Sequence, residues 1–374
     1  MLNKLIPISQ PSLLGNEKLY VMDALASGWI SSIGPYIDKF ETAFAGYQGV
    51  KHAVATHNGT IALHLALAAA GIGEGDEVIV PDLTFIATAN CVRYCHATPI
   101  LTDVTQDSWN ISPEAIRRAI SPRTRAIIPV HLYGNPAAMD EIMEIAAQHN
   151  LLVIEDCAEA LGAEYNGNKT GTFGHISCFS FFGNKIISTG EGGMCITNDN
   201  ALAERMRILR DHGMSRGKKY WYDHLGFNYR MTNLQAAVGL AQMEQIEKLI
   251  AARDDIYQVY HKALSSHPCI RMQEVNCQRN VNWLFSLRMT GMAYKQRDAV
   301  MESLKLQGID TRPLFYPISQ MPFYQESCYK RGEPANSQAI SQEGISLPTY
   351  VGLTHDEVNF IATALLGCLE TEEK

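Results

Sequence analysis

One lysine, Lys185, stands inside the run SFFGNKIISTGEGGM (Ser180–Met194), just after an apolar, strand-like segment and just before a glycine-rich loop. Packing can hold such a lysine while its amine faces a cavity. Limited hydration, a fixed direction and room for a flat ring beside it are what an imine-forming amine needs. Upstream, LLVIEDCAEALG (Leu151–Gly162) reads as a short buried strand ending in an acidic pair. Asp156 falls at the carboxyl end of that strand, the edge where open α/β sheets place their ligands. Glu155 points to the opposite face for as long as the strand lasts. Earlier still, HNGTIALHLALAAAG leads from an Asn-Gly turn into an apolar helix, with Gly59 and Thr60 in its first turn. Free backbone N–H groups there can hold a phosphate. Glycine permits close approach, and the hydroxyls of Thr60 and Ser180 can donate hydrogen bonds. A phosphate cradle, a carboxylate for a ring nitrogen and an imine lysine are the parts of a pyridoxal phosphate (PLP) site.

The elements that must position these groups alternate between strand and helix patterns. Strands are expected at 77–80, 100–103, 126–130, 152–155, 178–181 and 194–197. Helices are expected at 60–70, 114–120, 140–148 and 202–210, with Ser112 and Pro113 as an N-cap and first-turn pair. Strands spaced by helices imply an α/β fold with a largely parallel sheet. From Asn233 to Leu264 the pattern is long and helical, and the junction between a large domain (1–250) and a small C-terminal α+β domain (251–374) is expected inside it. Helices near 296–307 and 355–369 and a strand at 284–289 complete the small domain.

The chain has 374 residues, 46% of them hydrophobic, enough for these two domains around substantial cores. Its net charge of −8 argues against a nucleic-acid partner and leaves room for a local cationic pocket. Nine cysteines are scattered without a zinc-like CxxC pair, so no metal site is expected. Their odd number precludes complete intrachain pairing, and buried thiols in a reducing cytoplasm fit best. MLNKLIPISQPSLLG lacks the apolar core of a signal peptide, and no run approaches the ~18 apolar residues of a membrane span.

The segments SGWISSIGPYIDKFE, HNGTIALHLAL, GDEVIVPDLTFIATAN, VIEDCAEALG, GTFGHISCFSFFGNKIISTGEGGM, LGFNYRMTNLQAA and RPLFYP resemble the DegT/DnrJ/EryC1/StrS sugar aminotransferases of PLP fold type I. The resemblance runs from about Ser27 to Ala237 and on to Pro317. It implies a seven-stranded mixed sheet, PLP as cofactor, glutamate as amino donor and a nucleotide-linked keto sugar as acceptor. By the same resemblance Lys185 is the catalytic lysine, Asp156 pairs with the ring nitrogen and Phe85 lies flat against the ring. Glu159 occupies a position where many members carry Gln or His near the ring hydroxyl; a Glu there must be protonated or hold a donor. Asn228 and Arg230, in LGFNYRMTN, would reach the cofactor phosphate of a second subunit, so a homodimer with shared active sites is expected. Lys218, Lys219, Arg230 and Arg312 are candidate partners for substrate anions, and Trp29, Ser31 and Tyr316 lie in loops resembling sugar-contacting segments. EDCAEA, SFFGNK, the Tyr220–Trp221 pair and NYRMTN resemble the members that aminate GDP-4-keto-6-deoxymannose for surface polysaccharide. UDP- and dTDP-linked keto sugars are the alternative. A sugar dehydratase of the same group would carry histidine in place of Lys185. His175 and His212 have no defined partner in the sequence and are read as structural.

Overall fold

Runs rich in Val and Ile, such as EVIVP and LVIED, form strands of a central sheet, because such side chains pack well on a pleated surface. In a computed structural model of the chain, residues 5–326 and 329–372 are described. The central sheet holds β1 (His52–Thr56), β2 (Glu77–Pro81), β3 (Thr98–Thr102), β4 (Thr124–Ile127), β5 (Leu152–Asp156), β8 (Ile176–Ser180) and β9 (Gly193–Thr197). A short hairpin, β6 (Glu164–Tyr165) with β7 (Asn168–Lys169), lies between β5 and β8. The strand order is β1-β9-β8-β5-β4-β2-β3. Strand β9 runs antiparallel to both neighbours and the remaining pairings are parallel. The expected seven-stranded mixed sheet is therefore present.

Helices cover both faces. On one lie α1 (Glu17–Ser27), α2 (Pro35–Gln48), α5 (Pro113–Ala119), α6 (Met139–His149) and α8 (Asn233–Met243); on the other lie α3 (Gly59–Ala69), α4 (Ala87–Tyr94) and α7 (Asn200–Arg210). The period of two sorts the strands: Phe179 and Phe181 pack with Phe40 and Phe44, whereas Ile176 and Cys178 pack with Leu65 and Leu67. Ser112 caps α5 as expected, its hydroxyl accepting from Ala115 N at 3.2 Å.

The expected long helix from Asn233 to Leu264 is two helices. Helix α8 ends at Met243 and α9 (Ile246–Leu264) begins after a break at Glu244 and Gln245. The break redirects the chain from packing on α1 and α2 to packing on α12 (His355–Glu372). Ile250 lies within α9, so the helix runs unbroken past the expected domain junction. Beyond it, β10 (Ile270–Met272), β11 (Phe285–Met289), β12 (Arg312–Pro313) and β13 (Gly344–Leu347) form a second, antiparallel sheet. It packs with α9, α10 (Tyr294–Leu306) and α12 around its own core, and α11 (Ala335–Glu343) precedes β13.

The segment after β12 is fastened to the central sheet by two carboxylates at strand ends. Asp82 accepts from Ser319 N at 2.7 Å and Ser319 Oγ at 3.0 Å; Asp103 accepts from Asn336 N, Ser337 N and Ser337 Oγ. These bonds bring Phe315 to the carboxyl edge of the sheet. No helix among the described residues is long and apolar enough to cross a membrane. Cys91, Cys95, Cys157, Cys178 and Cys195 are buried free thiols; Cys328 lies outside the described residues.

Candidate active site

Seven of the residues singled out in the sequence, Gly59, Thr60, Phe85, Asp156, Glu159, Ser180 and Lys185, line one cavity of about 380 Å³ at the carboxyl edge of the central sheet. Strands β2, β5 and β8 end there, and each delivers its chemistry from its last residue or the turn after it. This is the ligand edge of a parallel sheet.

At one end stands the N-terminus of α3. Asn58 caps it, accepting from Ile61 N at 2.9 Å. The N–H groups of Gly59 and Thr60 have no carbonyl one turn earlier to bond. Gly59 is required by proximity: a Cβ there would lie 2.7 Å from Ser180 Cβ. The two donors at the helix start and the hydroxyls of Thr60 and Ser180 therefore converge on one spot, where the helix dipole also favours an anion.

At the other end Asp156 closes β5. One oxygen accepts from Thr88 Oγ1 at 2.9 Å and the other from Ala158 N at 3.1 Å. Complete burial pushes its pKa up, opposed by these bonds and by the charge of Lys185. A cation set beside it would reverse that rise.

Between them lies Lys185. Its Nζ is 3.8 Å from Glu159 Oε1 and 3.8 Å from the centroid of the Trp283 ring. Burial pushes the amine's pKa down, while Glu159 and Asp156 push it back up. Glu159 is displaced oppositely, up to about 7, because burial outweighs the attraction of Lys185 and the bond from Tyr133 N at 2.7 Å. The sequence expectation that Glu159 is protonated or holds a donor thus has both halves in view: its pKa is near neutrality and it accepts from Tyr133.

The ring of Tyr133 is stacked between Trp283, at 5.9 Å, and Phe315, at 5.5 Å, each within 12° of parallel. Its backbone is left-handed, φ 56°, which turns its N–H toward Glu159. Phe85 is 55% exposed at the cavity mouth, tilted against Phe315. Asn184 also lines the cavity, and its buried Oδ1 has no partner.

Glu155 points away from the cavity, as its strand position predicts. It accepts from the N–H groups of Gly171, Phe173 and Gly174, from Ser177 Oγ and from His131 Nε2. Burial alone would raise its pKa; these donors lower it. His131 Nδ1 accepts from Ala137 N, so both ring nitrogens are engaged. The cluster of His131, Glu155 and Cys157 has metal-like spacing, but the hydrogen bonds of His131 and Glu155 already engage their ligand atoms.

The remaining candidates lie elsewhere. Arg230 and Lys219 line a neighbouring cavity of about 660 Å³ with Arg207, Arg210 and Arg216. Arg230 pairs with Asp211 at 2.7 Å and donates to Asn228 Oδ1 at 3.3 Å. Lys218 lies over the Trp221 ring. Trp29 and Ser31 are held by their carbonyls to Asn233 at the start of α8. Arg312 pairs with Asp310 and is absent from the cavity lining. Tyr316 is likewise absent from it, its hydroxyl accepting from Arg297. His175 Nδ1 accepts from Val153 N, a structural use, and His212 Nε2 lies 3.4 Å from Arg230.

Sequence reasoning missed Thr88, Tyr133, Trp283 and Phe315. Thr88 stands one helical turn after Phe85 in PDLTFIAT and could have been found from that spacing. Trp283 is nearly 100 residues from Lys185 and carries no local signal.

The fold and the cavity define an enzyme of the α/β class with an imine-capable lysine at the carboxyl edge of its sheet. Residues 11–366 match the DegT/DnrJ/EryC1/StrS aminotransferase family, and the chain belongs to it. It is 48% identical to the GDP-perosamine synthase of Caulobacter vibrioides, over 96% of this chain and 97% of that one. The GDP-perosamine synthase of Escherichia coli O157:H7 is 45% identical, over 97% and 98%. Among solved structures, Helicobacter pylori PseC, an aminotransferase involved in the biosynthesis of pseudoaminic acid, superposes with a TM-score of 0.92 at 28% identity. It covers 98% of this chain and 100% of PseC.

Proposed function

We propose that the protein is a PLP-dependent aminotransferase that moves the amino group of glutamate onto GDP-4-keto-6-deoxymannose, giving GDP-perosamine for surface polysaccharide, including O-antigen. The observation that carries this reading is the single cavity in which the Lys185 amine, the Asp156 carboxylate and the α3 N-terminus face one another. Near-full-length similarity to GDP-perosamine synthases supports the acceptor.

The residues fit PLP. Gly59 leaves the space that a Cβ would fill, the donors at the α3 N-terminus suit a phosphate, and Asn184 Oδ1 awaits a donor. When bound, PLP supplies an electron sink for the carbon that gains or loses a proton. Gly59, Thr60 and Ser180 would hold its phosphate. Asp156, kept in place by Thr88 and Ala158, would pair with the ring nitrogen and favour its protonated form. Phe85, at the cavity mouth, would shield the ring. Lys185 would anchor the group through its amine and, with that amine free, would move a proton at Nζ. Glu159 sets the charge around that amine.

Substrate anions require cations that this cavity lacks apart from Lys185. A homodimer supplies them, with Asn228, Arg230, Lys218 and Lys219 of one subunit serving the site of the other. The exposed apolar side chains Ile33 and Phe182, which line the two cavities, support a subunit contact. Mixing inactive Lys185→Ala and Asn228→Ala proteins tests it, since one site of each hybrid is intact; no recovery of activity removes the shared site.

The deciding experiment is product mass after incubation with PLP, glutamate and GDP-4-keto-6-deoxymannose. Replacement of the ketone by an amine is expected. Absence of product with a glutamate-dependent absorbance change retained would move the acceptor to UDP- or dTDP-linked sugars. An unchanged spectrum removes glutamate as donor.

A further inference from the structure

Three arginines are buried among the described residues, and two of them pair with carboxylates: Arg288 with Glu343 and Arg297 with Asp298, both at 2.7 Å. Arg253 does not. It stands on α9 and donates only to backbone carbonyls, those of Trp283 at 2.7 Å, Thr349 at 3.2 Å and Lys185 at 3.4 Å. Its Nε is buried without a partner. Burial lowers its pKa only to about 10, so the guanidinium stays charged near neutrality.

An isolated buried cation costs stability, and an apolar residue of similar volume commonly relieves that cost. The position of this one gives the charge a purpose. Arg253 grips the backbone of Lys185 itself, and of Trp283, whose ring lies under the lysine amine and whose Nε1 donates to Asn184 O at 2.8 Å. Thr349 adds the end of the second sheet. One guanidinium thus ties the lysine loop, the ring beneath the amine and the C-terminal sheet into a rigid unit.

We propose that Arg253 is a positioning residue of the amino-transfer reaction, fixing the Lys185 backbone from behind while its unpaired charge acts together with burial on the lysine amine. The inference rests on the reading of Lys185 as the reacting amine. The charged groups facing that amine are Glu159 and Asp156 at the end of β5, which favour its protonated form, and Arg253 on α9, which disfavours it. Glu191 contributes to the same cavity from the loop before β9. Without Arg253 the two carboxylates act unopposed except by burial, and the amine holds its proton to higher pH.

The test measures acetylation of Lys185 by acetic anhydride against pH in the full chain freed of cofactor, read by peptide mass. The glutamate half-reaction of the holoenzyme is followed over the same range. Arg253→Met is expected to raise the pH midpoint of both, so that each reaction slows at a fixed pH below the midpoint. Arg253→Lys, which keeps the charge, is expected to leave the midpoint in place. Should Arg253→Met fail to fold, Arg253→Gln carries the same expectation. An unmoved midpoint in the uncharged variant, with or without a lower Tm, would mean that Arg253 only holds the fold together and would overturn the proposal. Failure of the wild-type half-reaction would remove the aminotransferase reading and leave the acetylation result standing by itself.

Discussion

Replacing Glu159 by Gln should change how stability depends on pH. Glu159 has a pKa of about 7 in the folded chain against 4.5 for an ordinary Glu, because it is completely buried. Between about pH 4.5 and 7 the folded chain therefore holds a proton that the unfolded chain has released. Stability falls as pH rises through that window. The displacement is worth about 3 kcal/mol at ~1.4 kcal/mol per pH unit. Lys185, 3.8 Å away, titrates with Glu159 and absorbs part of it, so about 1–2 kcal/mol should be observable. Gln keeps the shape, and its amide oxygen can still accept from Tyr133 N. Urea unfolding of the cofactor-free chain at pH 5 and pH 8 measures the difference. Wild type and Glu159→Gln should be nearly equal at pH 5, with the variant more stable by that amount at pH 8. A gap that is the same at both pH values, or that favours wild type at pH 8, would refute the assignment of a buried, neutral-range carboxyl.

Lys185→Ala should abolish amino transfer while leaving the far-ultraviolet circular dichroism unchanged; substantial residual transfer would remove the central assignment. Gly59→Ala forces a Cβ against Ser180 Cβ at 2.7 Å and should weaken PLP binding by about 1–3 kcal/mol, seen by equilibrium titration. Thr88→Val removes one of the two hydrogen bonds that hold the Asp156 carboxylate; kcat should fall about tenfold or more, since a hydrogen bond to a charged group is worth about 1.5–3 kcal/mol.

The chemistry was legible where it is local. Asp156 ends a strand, Thr60 opens a helix and Lys185 follows an apolar strand, so short-range pattern and family motif placed all three on one edge of the sheet. The strand LVIED declared itself because a parallel strand buried on both faces is a nearly continuous apolar run. Strand β1, HAVAT, did not: alanine is a weak strand former, and only pairing with β9 makes this segment a strand. The break between α8 and α9 was equally silent, because no Gly or Pro marks it and two different packing partners impose it.

Sequence by itself determined the family, most of the strands and helices and which residues gather at the carboxyl edge of the sheet. Tertiary structure decided the environment that tunes those groups. Trp283, Tyr133, Phe315 and Arg253 come from segments far from Lys185 and Glu159 in the chain, and their roles depend on burial and on distances of a few ångströms. Desolvation and Coulomb interactions are properties of space, not of sequence separation, so the proton affinities of Lys185 and Glu159 exist only once the two sheets have closed on each other.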